Sequence, residues 1–206
     1  MYTPDTVATR YTTASAPSVT LDRVVLPWSF APAIKALLPW LSKEGHRAPL
    51  GGIQIEAHED CTFLTATDGT AAITLEGPPV EGLLGRAVLS REGIREWLEA
   101  QLEQLELEWD ETPIALEPQV QASYPDVRTA VPTSNKGSVS SVGMSSVLLS
   151  RVGTVLRKLS LTAGKGTPLI IQHGAALDPV LLTGNINSKK NVLTGVMVIL
   201  MPLRID

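Results

Sequence analysis

The chain has a single cysteine and very few aromatic residues. Cys61 is its only thiol, so an internal disulfide is excluded and a reducing compartment such as the cytoplasm is expected. Hydrophobic residues make up 44% of the 206 positions but aromatic residues only 4%. The core must therefore be built mainly from aliphatic side chains, in a chain long enough for one or two domains.

The sequence also lacks a long hydrophobic run. Its most apolar stretch, Val196 to Leu203, has the length of a strand and falls short of the roughly 18 residues of a membrane span. The N-terminus has no basic leader followed by an apolar segment, so no secretion signal is expected. These absences predict a soluble, cytoplasmic protein that has no membrane partner.

Motifs for catalysis are weak. The segment His58-Glu59-Asp60-Cys61 has metal-capable side chains, but they are consecutive at a tight turn and cannot converge on one ion. Gly164-Lys165-Gly166-Thr167 lacks the first glycine and the full spacing of a phosphate-binding loop, and no Gly-x-Ser-x-Gly elbow is present. We therefore predict no catalytic residue, no metal and no cofactor. A hydrolase with an unrecognised site is the third hypothesis.

Charge is unevenly distributed along the chain. Residues 1–132 carry 9 Lys and Arg against 19 Asp and Glu, whereas residues 133–206 carry 8 against 2. Such asymmetry is typical of a protein with one face suited to a polyanion. A chance distribution over a solvated surface is the alternative.

Hydrophobic periodicity predicts a unit of strand, helix and three strands that occurs about three times, each time with one helix. Residues 1–17 show no periodicity and are predicted to form a flexible tail. Antiparallel meanders with one helix each predict an α+β fold of repeated βαβββ units, with the helices on one face of the sheets. The expected helices contain Ile34, Leu37, Leu38 and Leu41, then Arg91 to Gln104 behind a Ser90 cap, and then Leu148, Val152, Val155, Leu156 and Leu159. The expected strands are residues 19–26, 52–56, 62–66, 72–75, 86–89, 105–109, 113–116, 137–142, 168–172, 180–183 and 196–203.

Three separated motifs resemble one known family. They are Ala66-Thr67-Asp68-Gly69 after a strand, the turn Tyr124-Pro125-Asp126-Val127-Arg128, and Met201-Pro202-Leu203-Arg204-Ile205 at the end. In this order they resemble the ATDGxRL, FPDYRR and MPMRL segments of the bacterial DNA sliding clamp, the β subunit of DNA polymerase III. The resemblance spans residues 18–206.

This resemblance implies a domain organisation and a function. Residues 18–118 correspond to the family's middle domain, and residues 119–206 to a linker plus the second half of its C-terminal domain. It implies a non-catalytic processivity factor of DNA replication or repair. Its partners are double-stranded DNA, DNA polymerases or repair proteins that carry short hydrophobic motifs, and a clamp loader. A regulator that binds clamp partners without encircling DNA is the runner-up.

The family binds partner peptides in a pocket between these two domains. The positions here that match it are Leu50, Thr67, Gly69, Pro125, Val180, Ile199, Met201, Pro202, Leu203 and Arg204. The sequence departs from the family at Thr70-Ala71-Ala72, where His or Tyr, Arg and Leu are usual, and it lacks a second Arg after Arg128. These departures remove polar residues from the pocket wall, so affinity and partner choice are expected to differ from those of the family. The alternative is that the apolar members are ordinary strand core.

The family's inner helices contact DNA phosphates without sequence specificity. The matching basic residues here are Lys35, Lys43, Arg47, Arg151, Arg157 and Lys158. Arg91 and Arg95 are opposed by Glu92, Glu96, Glu99 and Glu103, which predicts an ordinary solvated face for that helix.

A homo-oligomer is also expected. Half a clamp domain, taken alone, leaves the apolar helix positions Leu148, Val152, Val155 and Leu159 uncovered, and exposed apolar surface favours association. Packing of this half back onto its own first domain is the competing solution.

Overall fold

In the described part of the chain, two α-helices come before a group of four strands, and two further α-helices come before a group of three strands. The computed structural model of the protein describes residues 6–42, 50–103, 114–116, 124–131, 145–159, 170–173, 179–185 and 193–200. Its helices are α1 (Thr6–Thr13), α2 (Ala31–Leu37), α3 (Arg91–Glu103) and α4 (Ser146–Leu159). Its strands are β1 (Ile53–Ala57), β2 (Thr62–Thr67), β3 (Ala71–Gly77), β4 (Gly85–Leu89), β5 (Ile170–His173), β6 (Val180–Asn185) and β7 (Gly195–Leu200). Within these ranges no helix is long and apolar enough to cross a membrane.

The strands form one antiparallel sheet in the order β4-β1-β2-β3-β7-β6-β5. Neighbours β3 and β7 come from distant parts of the sequence, with Thr74 opposite Met197. The predicted α+β fold with antiparallel strands is confirmed. The division of the chain at residue 118 remains a prediction, because the sheet continues across it.

One face of the sheet, the inner face, packs against three helices. Ile55, Leu64, Leu75 and Val196 form a row across four neighbouring strands on this face. The helices α2, α3 and α4 cover the row with aliphatic and indole side chains, which are all part of one buried cluster. The prediction that helices lie on one face holds for α2, α3 and α4.

Helix α4 buries its apolar stripe within its own chain. Val152, Val155 and Leu159 are at most 3% exposed, and α4 packs against α2 as well as the sheet. The expectation that a monomer leaves these three positions uncovered is therefore wrong, because this half of the chain packs back onto α2 and the sheet of the same chain. Leu148, the fourth position of that expectation, is half-buried. A homo-oligomer remains a prediction, but exposed apolar positions on α4 no longer support it.

Helix α3 begins as predicted. The Ser90 hydroxyl accepts a hydrogen bond from Gly93 N at 2.9 Å, which satisfies a free amide of the first turn. Packing explains why position 93 of this helix is glycine, since a Cβ there would lie 2.6 Å from the Cβ of Ala115.

Two local predictions near the N-terminus are wrong. Residues 6–13 form helix α1 where a flexible tail was expected, because tertiary contacts order them. The segment 19–26 makes only isolated bridges, Thr20 with Arg86 and Val24 with Ile114, so it is not a regular strand. The predicted strands 105–109 and 137–142 lie outside the described residues.

Candidate functional site

The Asp68-Gly69 segment is a tight turn between β2 and β3. The Asp68 carboxylate accepts hydrogen bonds from Thr70 N at 2.9 Å, Thr70 Oγ1 at 2.7 Å and Ala71 N at 3.1 Å. Gly69 has a φ of 89°, a conformation that favours glycine. The first motif therefore owes its residue types to turn geometry.

Asp68 also binds a helix on the inner side. Arg151 of α4 donates through Nη1 to Asp68 Oδ2 at 2.7 Å and through Nη2 to Pro39 O at 2.8 Å. Its guanidinium carbon lies 4.7 Å from the ring centre of Trp40. Burial opposes ionisation of Asp68, but the hydrogen bonds from Arg151 and Thr70 outweigh it and lower the pKa of this carboxyl.

Arg151 was predicted to contact DNA, and the structure gives it another role. Its charge is paired with Asp68 and its remaining face stacks on Trp40, so the side chain joins α4 to the β2–β3 turn. Sequence alone could not reveal this, because the two partners are far apart in the chain. We therefore leave Arg151 out of the proposed DNA contacts.

The second motif lies across the outer face, the side of the sheet opposite the three helices. Tyr124 is 9% exposed and donates from its hydroxyl to Thr65 O at 3.0 Å. Asp126 caps a 3-10 turn, Val127–Ala130, by accepting from Arg128 N at 3.0 Å. The motif thus fixes a short linker onto strands β1 and β2.

Arg128 joins the sheet to α1 on the outer face. It donates from Nη1 to Glu56 Oε1 at 3.0 Å and from Nη2 to Glu56 Oε2. Its Nε donates to Tyr11 O at 2.8 Å and to Ala14 O at 3.1 Å, near the end of α1. Sequence reasoning missed this role, although a glutamate at the buried position 56 was a signal that a cation lies nearby.

The described members of the predicted peptide pocket do not all share one surface. Thr67, Ala72, Ile199 and Leu181 form a row across the outer face. Val180 belongs to the inner cluster, because its register opposite Leu200 points it to the other side of the sheet.

The other predicted pocket residues are not members of this row. Pro125 and Gly69 are exposed, and Leu50 is half-buried just before β1. Met201, Pro202, Leu203 and Arg204 lie outside the described residues.

Three further basic residues from the DNA-contact prediction lie on α2 and α4 in the described part of the chain. Lys35 of α2 is exposed with its Nζ 5.4 Å from the ring centre of Trp28, and Arg157 and Lys158 are exposed in the last turn of α4. On α3, Arg95 lies 3.6 Å from Glu92 and 4.0 Å from Glu99, which gives the solvated, mixed-charge face expected there. Lys43 and Arg47 lie outside the described residues.

Comparison with solved structures finds bacterial sliding clamps. The chain is similar to the DNA polymerase III β subunit from Thermotoga maritima, with 13% identity and a TM-score of 0.55 over 94% of this chain and 68% of that one. It is similar to the sliding clamp from Bartonella birtlesii bound to griselimycin, with 17% identity and a TM-score of 0.58 over 93% and 68%. The β sliding clamp from Caulobacter crescentus gives 15% identity and a TM-score of 0.54 over 90% and 66%.

Sequence comparisons find no relatives. No protein-family model and no curated protein matches the chain. At such low identities the structural likeness concerns the fold alone. The resemblance inferred from three motifs is thus confirmed at that level: the chain has the sliding-clamp fold.

Proposed function

We propose that the protein is a non-catalytic, sliding-clamp-like accessory factor of DNA replication or repair that acts in the cytoplasm. The observation that carries the proposal is the clamp fold combined with exposed cations on two neighbouring helices of the inner side, α2 and α4. Neither helix carries an acidic residue. A clamp loader and assembly into a larger homo-oligomeric ring belong to the same proposal.

Double-stranded DNA is the proposed partner of the inner helices. Lys35, Arg157 and Lys158 are exposed and would reach phosphates as flexible point charges, independently of base sequence. Lys43 and Arg47 follow α2 in the sequence and are proposed to extend the same basic surface.

The DNA proposal is tested by fluorescence anisotropy with a short duplex over a range of salt concentrations. We expect Arg157→Glu combined with Lys158→Glu to weaken binding and to reduce the salt dependence by about two phosphate contacts. Arg157→Glu alone has a matched control in Arg95→Glu, an exposed arginine of α3 that already lies beside two glutamates. Unchanged DNA affinity in the double variant, at an unchanged melting temperature, would reject this role.

Polymerases or repair proteins are the proposed partners of the peptide pocket. The outer-face positions Thr67 and Ile199, with Pro125 nearby, support a site that continues into Met201, Pro202, Leu203 and Arg204. A short hydrophobic clamp-binding peptide should bind with a micromolar constant, about −8 kcal/mol. Calorimetry with Met201→Asp should give no binding, whereas Leu84→Asp, an exposed position elsewhere, should leave it unchanged.

The runner-up is an interaction module that binds clamp partners without encircling DNA. Two observations favour it: Arg151 is paired with Asp68, and the exposed arginines of α3, Arg91 and Arg95, lie among the glutamates Glu92, Glu96 and Glu99. Both reduce the positive charge available to phosphates. Peptide binding together with no salt-dependent DNA binding would select this alternative.

A further inference from the structure

Helix α1 lies on the outer face like a docked peptide. It packs against β6 and β7, and its Tyr11 is completely buried. The Tyr11 ring meets the Phe63 ring edge-on, with 5.1 Å between centres, inside a cluster that includes Val127 and Ile199. One aromatic side chain thus anchors the helix in an apolar site formed by the sheet and the linker.

Charged groups on both sides of Phe63 fix the orientation of this helix. Glu56, Phe63 and Glu76 lie side by side on three adjacent strands. Arg10 of α1 donates to Glu76 at 2.6 Å, while Arg128 binds Glu56 and lies 4.2 Å from the Tyr11 ring centre. The face therefore holds a cation, Arg10, and the aromatic residue that directly follows it, Tyr11.

Helix α1 has little intrinsic stability of its own. Its sequence TVATRYTT has only eight residues and is rich in β-branched threonine and valine, which are poor helix formers. Thr9, Arg10, Thr12 and Thr13 are exposed, and so are Ser15 and Ala16 of the following segment. The helix is therefore held by its docking contacts.

The site is not fully satisfied by α1. One carboxylate oxygen of Glu76, Oε2, is buried without a hydrogen-bond partner among the described residues. Burial also raises the pKa of the Glu76 carboxyl despite the nearby Arg10. A buried carboxylate oxygen without a donor disfavours the bound state, so a peptide that supplies another donor gains an advantage over α1.

We propose that the outer face around Phe63 is an exchangeable docking site for a short helical peptide in which Arg or Lys is followed by Tyr. The chain's own α1 occupies it in the resting protein and excludes the partner. Release of α1 uncovers Ile199, a member of the proposed partner pocket, so the helix also controls access to that surface. Recognition of a basic-aromatic segment does not depend on DNA binding or on the clamp-like role.

The test uses the full chain with a recognition sequence for a specific protease inserted after Ser15. A fluorescent peptide of residues 1–16 is added before and after cleavage, and binding is followed by anisotropy. The intact protein should not bind the peptide, because its tethered helix fills the site at high effective concentration. The cleaved protein should exchange its fragment for the labelled peptide.

Peptide variants keep the protein itself unchanged. Tyr11→Ala in the peptide should weaken binding about tenfold or more, since it removes the buried anchor. Arg10→Ala should weaken binding less, because Arg10 is half exposed. Thr12→Ala at an exposed position is the matched control and should bind normally.

Any one of four results would overturn the inference. Equal binding to intact and cleaved protein would mean that the peptide binds elsewhere. Loss of the fold on cleavage, seen by circular dichroism, or a fragment that never exchanges, would make α1 an integral part of the core. Normal binding of the Tyr11→Ala peptide would show that the Tyr11 side chain does not anchor the helix.

Discussion

The two faces of the sheet are covered in different ways. The inner face is aliphatic, and three helices bury it in one continuous cluster. The outer face carries Glu56, Thr65, Thr74 and Glu76 in alternation with the inner residues. There, a short helix and a linker pack on a smaller apolar cluster around Phe63, and directed contacts, chiefly those of Arg128, orient them.

The inner face therefore supplies most of the stability, whereas the outer face can respond to a change of partner or of pH. Apolar burial has no directional requirement, so side chains of the inner face need no specific bonding partner. The inner face is closely packed, so removing side-chain volume there lowers stability. Buried charges require matched partners, so the outer face can change its stability when one partner leaves or takes up a proton. Four predictions test this contrast.

The largest effect is expected for Leu64→Ala on the inner face. Leu64 is fully buried, and removing its side chain should cost about 2–5 kcal/mol of unfolding free energy because a cavity remains. Urea unfolding measures the loss. Leu84→Ala, at a position 55% exposed, is the control and should change stability by less than about 0.5 kcal/mol.

Tyr11→Ala on the outer face should lower the free energy of unfolding by less, about 1.5–3 kcal/mol. Helix α1 can leave the sheet without leaving a closed cavity, so only the free energy of burying the Tyr11 side chain is lost. The loss should be local, because α1 can leave while the inner cluster remains. Limited proteolysis should then cut within residues 6–18 at a higher rate, with no change in cutting elsewhere. Faster cleavage throughout the sheet would show that the two faces unfold together, which would contradict the difference between them.

Asp68→Asn should lower stability by about 1 kcal/mol at neutral pH, since a partly exposed ionic hydrogen bond to Arg151 is lost. The pKa of Asp68 is lowered from 3.8, so its stabilising contribution is present above that value and is lost as pH falls through the folded-state pKa. Unfolding curves of wild type and variant should therefore converge in acid. A difference that persists in strong acid would show that the carboxylate charge is not responsible.

Glu76→Gln should have the smallest effect and the opposite pH dependence. The pKa of Glu76 is raised from 4.5 because of burial, so its contribution is fully present below 4.5 and is lost as pH rises through the raised pKa. Wild type should gain stability relative to this variant as pH falls from neutral to 4.5. A stability difference between wild type and variant that stays constant over this pH interval would show that the pKa of Glu76 is not raised in the folded protein.

Sequence periodicity predicted the elements that depend on local pattern. Strands β1 to β3 follow from alternation between residues such as Ile55 and Glu56, and α3 follows from its Ser90 cap. Helix α1 was missed because its threonine-rich sequence does not favour a helix, and Tyr11 becomes ordered only through contacts distant in sequence.

The candidate site was harder to predict because register and pairing decide it. Val180 and Ile199 are both strand residues, and only the pairing with Leu200 and Leu181 shows that they face opposite sides. Arg151 and Arg157 look equivalent in sequence, yet one is paired with Asp68 and the other is exposed. Motif spacing therefore predicted the fold better than it predicted the role of each residue.

The central pairing of β3 with β7 has a consequence for synthesis on the ribosome. Strand β3 is made long before β7, so the backbone groups of residues 71–76 have no strand partner on that side until β7 emerges. An open apolar edge of this kind pairs readily with other nascent chains. Chaperone dependence and a slow final folding step, typical of pairings between distant segments, are therefore expected in the cell.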